Sequence, residues 1–454
     1  MSADWLTRFR RDRNLLPASA RRAAGAEPVL KILHGYRAAE QLPPAELARR
    51  QADQLVTLAR HCLIWSPHFA ARMKAAGLSP EDLAEPGALA SLAPLTRREL
   101  VEAGESFFCR ISPKAHGKVT TTSTSGSTGE PVTVRRTAYC QLHWLACTLR
   151  EHLWHDRDFS GRLAVMRANI TEAETSPSWG PPCSQVAETG PVSTMPPSTP
   201  IGDLVRWLLE FDPHYLLALP SSLAGIVAQL EDDGRQLPSL QGVRTISETV
   251  TPQLREDVQR VLGKGIDDIY TSQECGVMAT QCPEEGTYHV SETIIMDVVD
   301  EDGHPCGPGE VGRILVTDLN NTATPMVRYE IGDYAEVGDP CPCGRGLPSI
   351  RRFLGRERNL VLMPDGSRHW PLVGFHRWAG VFPVRQFQFV QLDRETILAR
   401  MSAAGVPTAG QEAELTAILR ESLGHPFEIR YEWHREPLAR GPGGKFEEFL
   451  CEAR

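Results

Sequence analysis

No run of about 18 apolar residues occurs anywhere in the chain, which removes transmembrane helices from the expected architecture. The N-terminal stretch MSADWLTRFRRDRNLLPASARR is basic, but no apolar core follows its charges, so it does not read as a secretory signal. A net positive charge is also missing: 48 basic residues face 57 acidic ones, for a net charge of −9. Nucleic acid and anionic membranes would repel such a chain on average, so neither is an expected partner. There is no internal repeat and no low-complexity tract. What is present is globular composition, 41% apolar and 23% charged, over 454 residues. That length points to two or three domains rather than one core. Eleven cysteines without a signal point to a reducing cytoplasm, with free thiols or metal ligands rather than disulfides.

Residues 1–105 read as helical, with Leu47, Leu55, Leu58, Ala59 and Leu63 near helical spacing. A β-like KVTTTS follows, then TSTSGSTGEP at 122–131, then an alternating VTVRR, so the loop is expected to join two strands. AYCQLHWLACTLREHL repeats apolar residues on one helical face. From about residue 160 the pattern is strand–helix–strand: HYLLAL, a helix capped by Ser221 or Ser222, VRTIS, a helix opened by Thr251 and Pro252, and IDDIY. Such alternation favours a parallel or mixed sheet covered by helices. The Pro-rich stretch 176–200 reads as a long surface loop. Residues 287–337 are β-rich, with a turn at EDGHPCGPGE. The last segment, from near Gly355, carries the turn PDGSRHWP, a strand VRQFQFVQL, a helix around EAELTAILRESL and the run FEIRYEW. The expected fold is therefore α/β: a large N-terminal domain over 1–354 with its helical N-terminal segment, and a small α+β domain over 355–454.

Glycines between two strands can turn the backbone so that its N–H groups point inward, and Ser/Thr hydroxyls add donors. TSTSGSTGEP could cradle phosphate in that way, although its composition alone also suits a linker. It is not the Walker pattern, since no Gly-Lys-Ser/Thr follows. A second constellation is Cys282 and His289 followed by Cys341 and Cys343. Three thiols and an imidazole make a closed set for tetrahedral zinc, while spacing alone slightly favours unliganded thiols. Cys275 and Cys306 are further thiols able to replace a ligand.

TSTSGSTGEP resembles the phosphate loop of the acyl-adenylate-forming enzymes, the superfamily of acyl-CoA synthetases, luciferases and peptide-synthetase adenylation domains. Four further blocks follow in that family's order: YTSQECG at 270–276, RYEIGD at 328–333, LGRERNLVLMPDGSRHWP at 354–371 and PGGKF at 442–446. The flavour is that of phenylacetate-CoA ligases and their capsule-biosynthesis-like relatives, which also carry such CP…H and C-x-C-G-R pairs. The resemblance implies that Thr124, Ser125, Gly126, Ser127, Thr128 and Gly129 hold the β- and γ-phosphates of ATP. It implies that Glu274 holds Mg²⁺, that Tyr270 lies along the adenine with Thr271 and Ser272 beside it, and that Asp333 accepts from the ribose hydroxyls. Ser247 and Glu248 fall at the adenine-side turn, and Arg345 and Arg356 are candidates for further nucleotide contacts. Lys445, by itself an ordinary surface lysine, resembles the residue that stabilises the charge developing during adenylation. The same resemblance favours zinc at the Cys/His set.

Three departures from the family stand out. Glu130 replaces the usual loop lysine, Thr271 replaces a glycine, and Arg358 or Asn359 stands where a hinge aspartate is common. The implied activity is ATP-dependent activation of a small carboxylic acid, an aryl or arylacetic acid by default, with CoA as acceptor. Transfer to an amine or a carrier-protein thiol is an alternative, as is a non-catalytic nucleotide-binding regulator, and a homodimer stays open. Trp144, Trp154 and Trp179 are candidates for an acyl pocket, though tryptophans near helices are usually core.

Overall fold

The computed structural model describes residues 26–123, 132–356, 361–369, 380–436, 438–439, 446 and 449–453. Thr124, Ser125, Gly126, Ser127, Thr128, Gly129, Arg358, Asn359 and Lys445 lie outside the described residues, and of Arg356 only the backbone is described. The helical start of the chain becomes α1 (Ala26–Glu40), α2 (Pro44–Trp65), α3 (Pro67–Ala76) and α4 (Arg97–Ala103). Leu47, Leu55, Leu58 and Ala59 form the buried face of α2 as their spacing predicts, whereas Leu63 is 37% exposed. Strands β1 (Val119–Ser123) and β2 (Thr133–Thr137) pair antiparallel with Ser123 opposite Thr133, so the Gly/Ser/Thr loop does join two strands. The Thr137 side chain accepts from Cys140 N and thereby caps α5 (Ala138–Trp154), which buries Ala146, Leu149 and Leu153.

The strand–helix alternation then builds β3 (Leu163–Val165), β4 (Glu174–Ser176), α6 (Cys183–Val186), β5 (Val192–Thr194), α7 (Ile201–Phe211), β6 (Tyr215–Ala218) and α8 (Pro220–Asp232). It continues through β7 (Gly242–Ile246), α9 (Pro252–Leu262) and β8 (Ile266–Ser272). The β-rich part supplies β9 (Gly276–Gln281), β10 (Tyr288–Val290), β11 (Ile294–Val299), β12 (Val311–Asp318), β13 (Tyr329–Val337) and β14 (Ser349–Arg356). All these strands from β3 onward form one sheet in the order β11-β12-β13-β14-β10-β9-β8-β7-β6-β3-β5-β4. From β5 to β8 neighbouring strands are parallel, and from β8 to β11 they are antiparallel. Strand β8 is therefore the point where the sheet changes character.

Two expectations are corrected here. Segment 176–200 is not only a surface loop: it contributes β5 to the sheet, and Trp179 Nε1 donates to Gly161 O at 2.8 Å. Neither Ser221 nor Ser222 caps α8, because Pro220 occupies the first helical turn and Leu219 precedes it without a side-chain cap. Thr251 and Pro252, by contrast, open α9 as expected, with Thr251 Oγ1 accepting from Leu254 N.

The C-terminal part has its own core. After the hairpin β15 (Val361–Leu362) and β16 (Arg368–His369) come β17 (Val384–Gln391), β18 (Thr396–Ala403), α10 (Ala409–Leu423), β19 (Glu428–His434) and β20 (Phe449–Cys451). The last four strands form a sheet in the order β19-β18-β17-β20. Phe389, Ile397, Met401, Leu415, Leu419 and Phe427 fill the space between it and α10. Among the described residues no helix is long and apolar enough to cross a membrane.

A buried ion cluster ties α5 to the rest. Arg150, 2% exposed, reaches Glu292 at 2.7 Å and Glu40 at 3.5 Å. Its guanidinium lies 4.7 Å from the Tyr36 ring centre and 5.0 Å from that of Trp154. Removing one member of a buried ion pair strands its partner and costs about 3–5 kcal/mol. Arg150→Ala should lower the unfolding free energy of the full chain by that order in a denaturant titration. Arg150→Met combined with Glu40→Gln and Glu292→Gln should restore most of the loss; an unchanged midpoint in Arg150→Ala would refute the assignment.

Candidate active site

In an α/β sheet, ligands gather beyond the carboxyl ends of the parallel strands. Strand β8 is the last of these before the pairing turns antiparallel. Its carboxyl end carries Tyr270, Thr271 and Ser272, and the following turn into β9 carries Glu274. The ends of β7 and β6 deliver Ser247, Glu248 and the start of α8 to the same edge.

Tyr270 and Asp333 come together although 63 positions separate them: Tyr270 Oη donates to Asp333 Oδ2 at 2.6 Å. The Tyr270 ring stacks on Phe353, with centroids 3.8 Å apart and planes at 16°. Phe353 in turn meets Tyr288 edge-on, so the pair rests on core packing. Asp333 stands opposite Arg356 in the β13–β14 register, which puts Arg356 at the same edge. Phe353 is a site residue that sequence reasoning missed; its alternation partner in β14 held no motif to mark it.

Glu274 is 8% exposed and lies 3.8 Å from the Arg97 guanidinium, in the first turn of α4. Arg97 is a second residue without a sequence signal. Ser272 acts locally, because its Oγ accepts from Cys275 N at 2.9 Å and closes the turn that presents Glu274. Thr271 pairs with Val277 across the same hairpin. Ser247 adopts φ 75°, a left-handed conformation that is uncommon outside glycine and recurs at ligand-facing turns.

Glu248 bridges two parts of the chain. Its Oε2 accepts from Ser221 N at 2.9 Å, at the open end of α8, and its Oε1 accepts from Phe446 N at 3.1 Å. The residue after Lys445 is thus held at the carboxyl edge of the large sheet. An acidic side chain suits this position because the first turn of a helix leaves N–H groups unpaired.

Arg345 is a correction. Its guanidinium lies 3.4 Å from Glu284, 3.9 Å from Glu40 and 4.6 Å from the centre of the Trp154 ring. It also approaches Cys282 Sγ at 3.8 Å. Cys282 follows the six-residue β9 whose other end adjoins Glu274, and six extended residues span about 20 Å. Two carboxylates and an indole therefore hold Arg345 at the far end of the sheet from Tyr270 and Asp333.

At that far end Cys282, His289, Cys341 and Cys343 converge, with their ligand atoms all within 4.8 Å of one another. Cys341 Sγ lies 3.9 Å from Cys282 Sγ, and Cys343 Sγ lies 3.3 Å from His289 Nε2. The arrangement joins the β9–β10 hairpin, which carries Cys282 and His289, to the CPCGR turn more than 50 positions on. Cys275 and Cys306 do not join it.

Between the start of α5 and the Glu274 turn lies an open recess, whose free space is about 430 Å³ with open solvent included. Arg136, His143, Trp144, Gly276, Asp318 and Asn320 face it. Of the three tryptophans only Trp144 lines this space. Trp154 packs on Arg345 and His289, and Trp179 on Phe159 and Tyr215. Asp318, 6% exposed, has its carboxyl pushed up to about 6 by burial.

No protein-family model matches the chain. It is 28% identical over 168 residues to a phenylacetate-coenzyme A ligase of Thermus thermophilus, a match spanning 35% of this chain and 38% of that one. It is 25% identical over 344 residues to the phenylacetate-coenzyme A ligase of Escherichia coli, spanning 70% of this chain and 73% of that one. Among solved structures, 2-hydroxyisobutyryl-CoA ligase in the postadenylation state superposes with a TM-score of 0.73 at 17% identity, over 97% of this chain and 94% of that chain. The same ligase in its thioesterification state gives a TM-score of 0.61 at 18% identity, over 97% and 95% of the two chains. In sequence the chain is thus similar to phenylacetate-CoA ligases, and in fold to a ligase that forms an acyl-adenylate.

Proposed function

We propose that the protein is an ATP-dependent acid–CoA ligase. A carboxylate oxygen of the acid attacks the α-phosphorus of ATP, the bond to pyrophosphate breaks, and acyl-AMP remains. The CoA sulfur, on losing its proton, then attacks the acyl carbon, and the acyl–oxygen bond breaks to release AMP. The observation that carries this reading is the gathering of Tyr270, Asp333, Glu274 and the Glu248–Phe446 contact at the carboxyl edge of the sheet. The curated relatives are CoA ligases, which supports CoA over an amine or carrier protein as acceptor.

Each residue has a physical role in this scheme. Asp333, an acceptor-only group when ionised, suits the paired hydroxyls of a ribose. The Tyr270–Phe353 stack offers a flat apolar support for the base, with Ser247 and Glu248 on the adenine side. Thr271 and Ser272 shape the strand end, and the backbone of Arg356 lies beside Asp333. The loop Thr124–Gly129 is assigned the β- and γ-phosphates. Glu274 fits Mg²⁺, which usually takes one or two carboxylates besides phosphate oxygens; when bound it neutralises the phosphate charge that Glu130 cannot. Lys445, beside Phe446, is assigned the charge that develops on adenylation. We further propose a division of the chain into 1–354 and 355–454, although β14 runs two residues past that boundary.

The Cys/His set fits zinc. Tetrahedral bonds of about 2.3 Å to sulfur and about 2.0–2.1 Å to nitrogen put sulfurs about 3.8 Å apart and sulfur about 3.6 Å from nitrogen. The separations of 3.9 and 3.3 Å agree with that. Three thiolates and a divalent ion leave one negative charge, and Arg345 stands against it. The ion's part here would be to fix the β9–β10 and CPCGR turns, far from ATP. The eleven free cysteines accord with a reducing, cytoplasmic setting.

Lys445→Ala should slow adenylation by on the order of 10²-fold or more, while synthetic acyl-AMP is still converted to thioester; equal loss in both half-reactions would sink its role. Glu248→Ala removes a charge-assisted bond of about 1.5–3 kcal/mol. It should slow adenylation at least about tenfold more than thioester formation, and parity between the two rates would count against it. Elemental analysis should find about one zinc per chain, lost in Cys341→Ser/Cys343→Ser, and only trace zinc in well-folded protein would refute the site.

A further inference from the structure

Two buried polar atoms in the recess beside Glu274 have no partner within the described part of the protein. Among the described residues, Arg136 Nη2 and His143 Nε2 are buried atoms without a hydrogen-bond partner, and both residues face the recess. His143 Nδ1 lies 2.5 Å from Tyr36 Oη. Burial raises the Tyr36 phenol well above its ordinary value and lowers His143 to about 4. His143 is therefore neutral, and its Nε2 meets the recess as an N–H donor or as a lone pair, according to whether the Tyr36 hydroxyl gives its proton to His143 Nδ1 or to Cys147. A buried polar atom left unpaired costs about 1–3 kcal/mol, so two of them in one recess favour a polar group brought in from outside.

Asp318 narrows the choice. It faces the same space and interacts electrostatically with Arg136. A second carboxylate on the ligand would meet Asp318, and an amine would meet Arg136. A hydroxyl suits all three, since it accepts from Arg136 or His143 and donates to Asp318 without adding charge. The apolar wall is Trp144, over whose ring the Arg136 guanidinium lies 5.3 Å from the centroid. Gly276, at φ +80°, passes the indole edge without a side chain, which leaves room there for a flat substrate.

We propose that the acid activated at this site is a hydroxylated aryl acid, with Trp144 against its ring and its hydroxyl held by Arg136, His143 and Asp318. This rests on the adenylation reading, which puts the acid's carboxylate at the Glu274 end of the recess. Specificity then comes from polar groups that the deoxy acid leaves unpaired, a device able to discriminate by 10²-fold and in favourable sites about 10⁴-fold.

The test uses the full chain with benzoate and phenylacetate, each beside its ortho-, meta- and para-hydroxyl forms. Pyrophosphate release with hydroxylamine as acceptor gives kcat/KM, and calorimetry gives acid binding independently of turnover. At least one hydroxylated acid should exceed its parent by about 10²-fold in kcat/KM. His143→Phe and Arg136→Met should cut that preference to a few-fold, while His143→Gln, which keeps a donor, should retain most of it; thermal midpoints check folding. Equal binding and turnover of the parent acids would overturn the proposal, as would an undiminished preference in both variants or no binding of any acid. Preferential binding of a hydroxylated acid without pyrophosphate release would support it and remove the adenylation reading instead.

Discussion

The Arg150 guanidinium is the charge on which much of this architecture depends. Glu292, Glu40, Tyr36 and Trp154 surround it away from water, and they come from separate parts of the chain. Helix α5 is thereby fixed against α1 and against the segment between β10 and β11. The N-terminal end of α5 follows the hairpin that carries the phosphate-loop candidate, and its middle lines the acid recess. The orientation of both therefore depends on a clamp at the other end of the helix. Trp154 extends the clamp, since Arg345 lies over its indole and His289 meets its edge. A buried ion cluster of this kind often adds little stability over an apolar replacement. Here it sets the position of a helix that two sites share.

The mixed sheet explains why the proposed nucleotide site and the cysteine cluster lie apart. Parallel strands up to β8 collect their following turns at one edge, so Pro220, Ser247, Glu248 and Tyr270 gather there. Strand β9 runs back antiparallel and carries the chain to the opposite edge, where Cys282 lies. Glu274 and Cys282 are close in sequence and occupy opposite ends of one strand. On the proposed reading, a metal at the Cys/His set would act on the fold, and the chemistry would belong to the other edge.

Elements with strong periodicity were legible in the sequence: the buried face of α5, the alternation from β6 to β8, the Thr251–Pro252 start of α9, and the two strands flanking residues 124–131. The Cys282, His289, Cys341 and Cys343 grouping was legible from residue type and order, as was the shared site of Tyr270 and Asp333. What was not legible depends on tertiary contact. The cap of α8 is a carboxylate 27 positions away, Glu248, rather than a local serine. Arg345 sits in a motif that suggested nucleotide, yet Glu40 and Trp154 draw it elsewhere. Arg97, Phe353, Arg136 and His143 belong to helices and strands, where a single sequence marks them as ordinary. Segment 176–200 hid β5 because three residues among prolines carry too little pattern to read as a strand.

Glu248 divides its two oxygens between α8 and Phe446. Losing one charge-assisted hydrogen bond costs about 1.5–3 kcal/mol, which corresponds to a population ratio of roughly ten to a few hundred. A contact of that size holds the C-terminal segment beside the sheet most of the time. It is also weak enough for thermal motion to break. Were the segment to leave, the bond from Ser221 N would still hold the carboxylate in place.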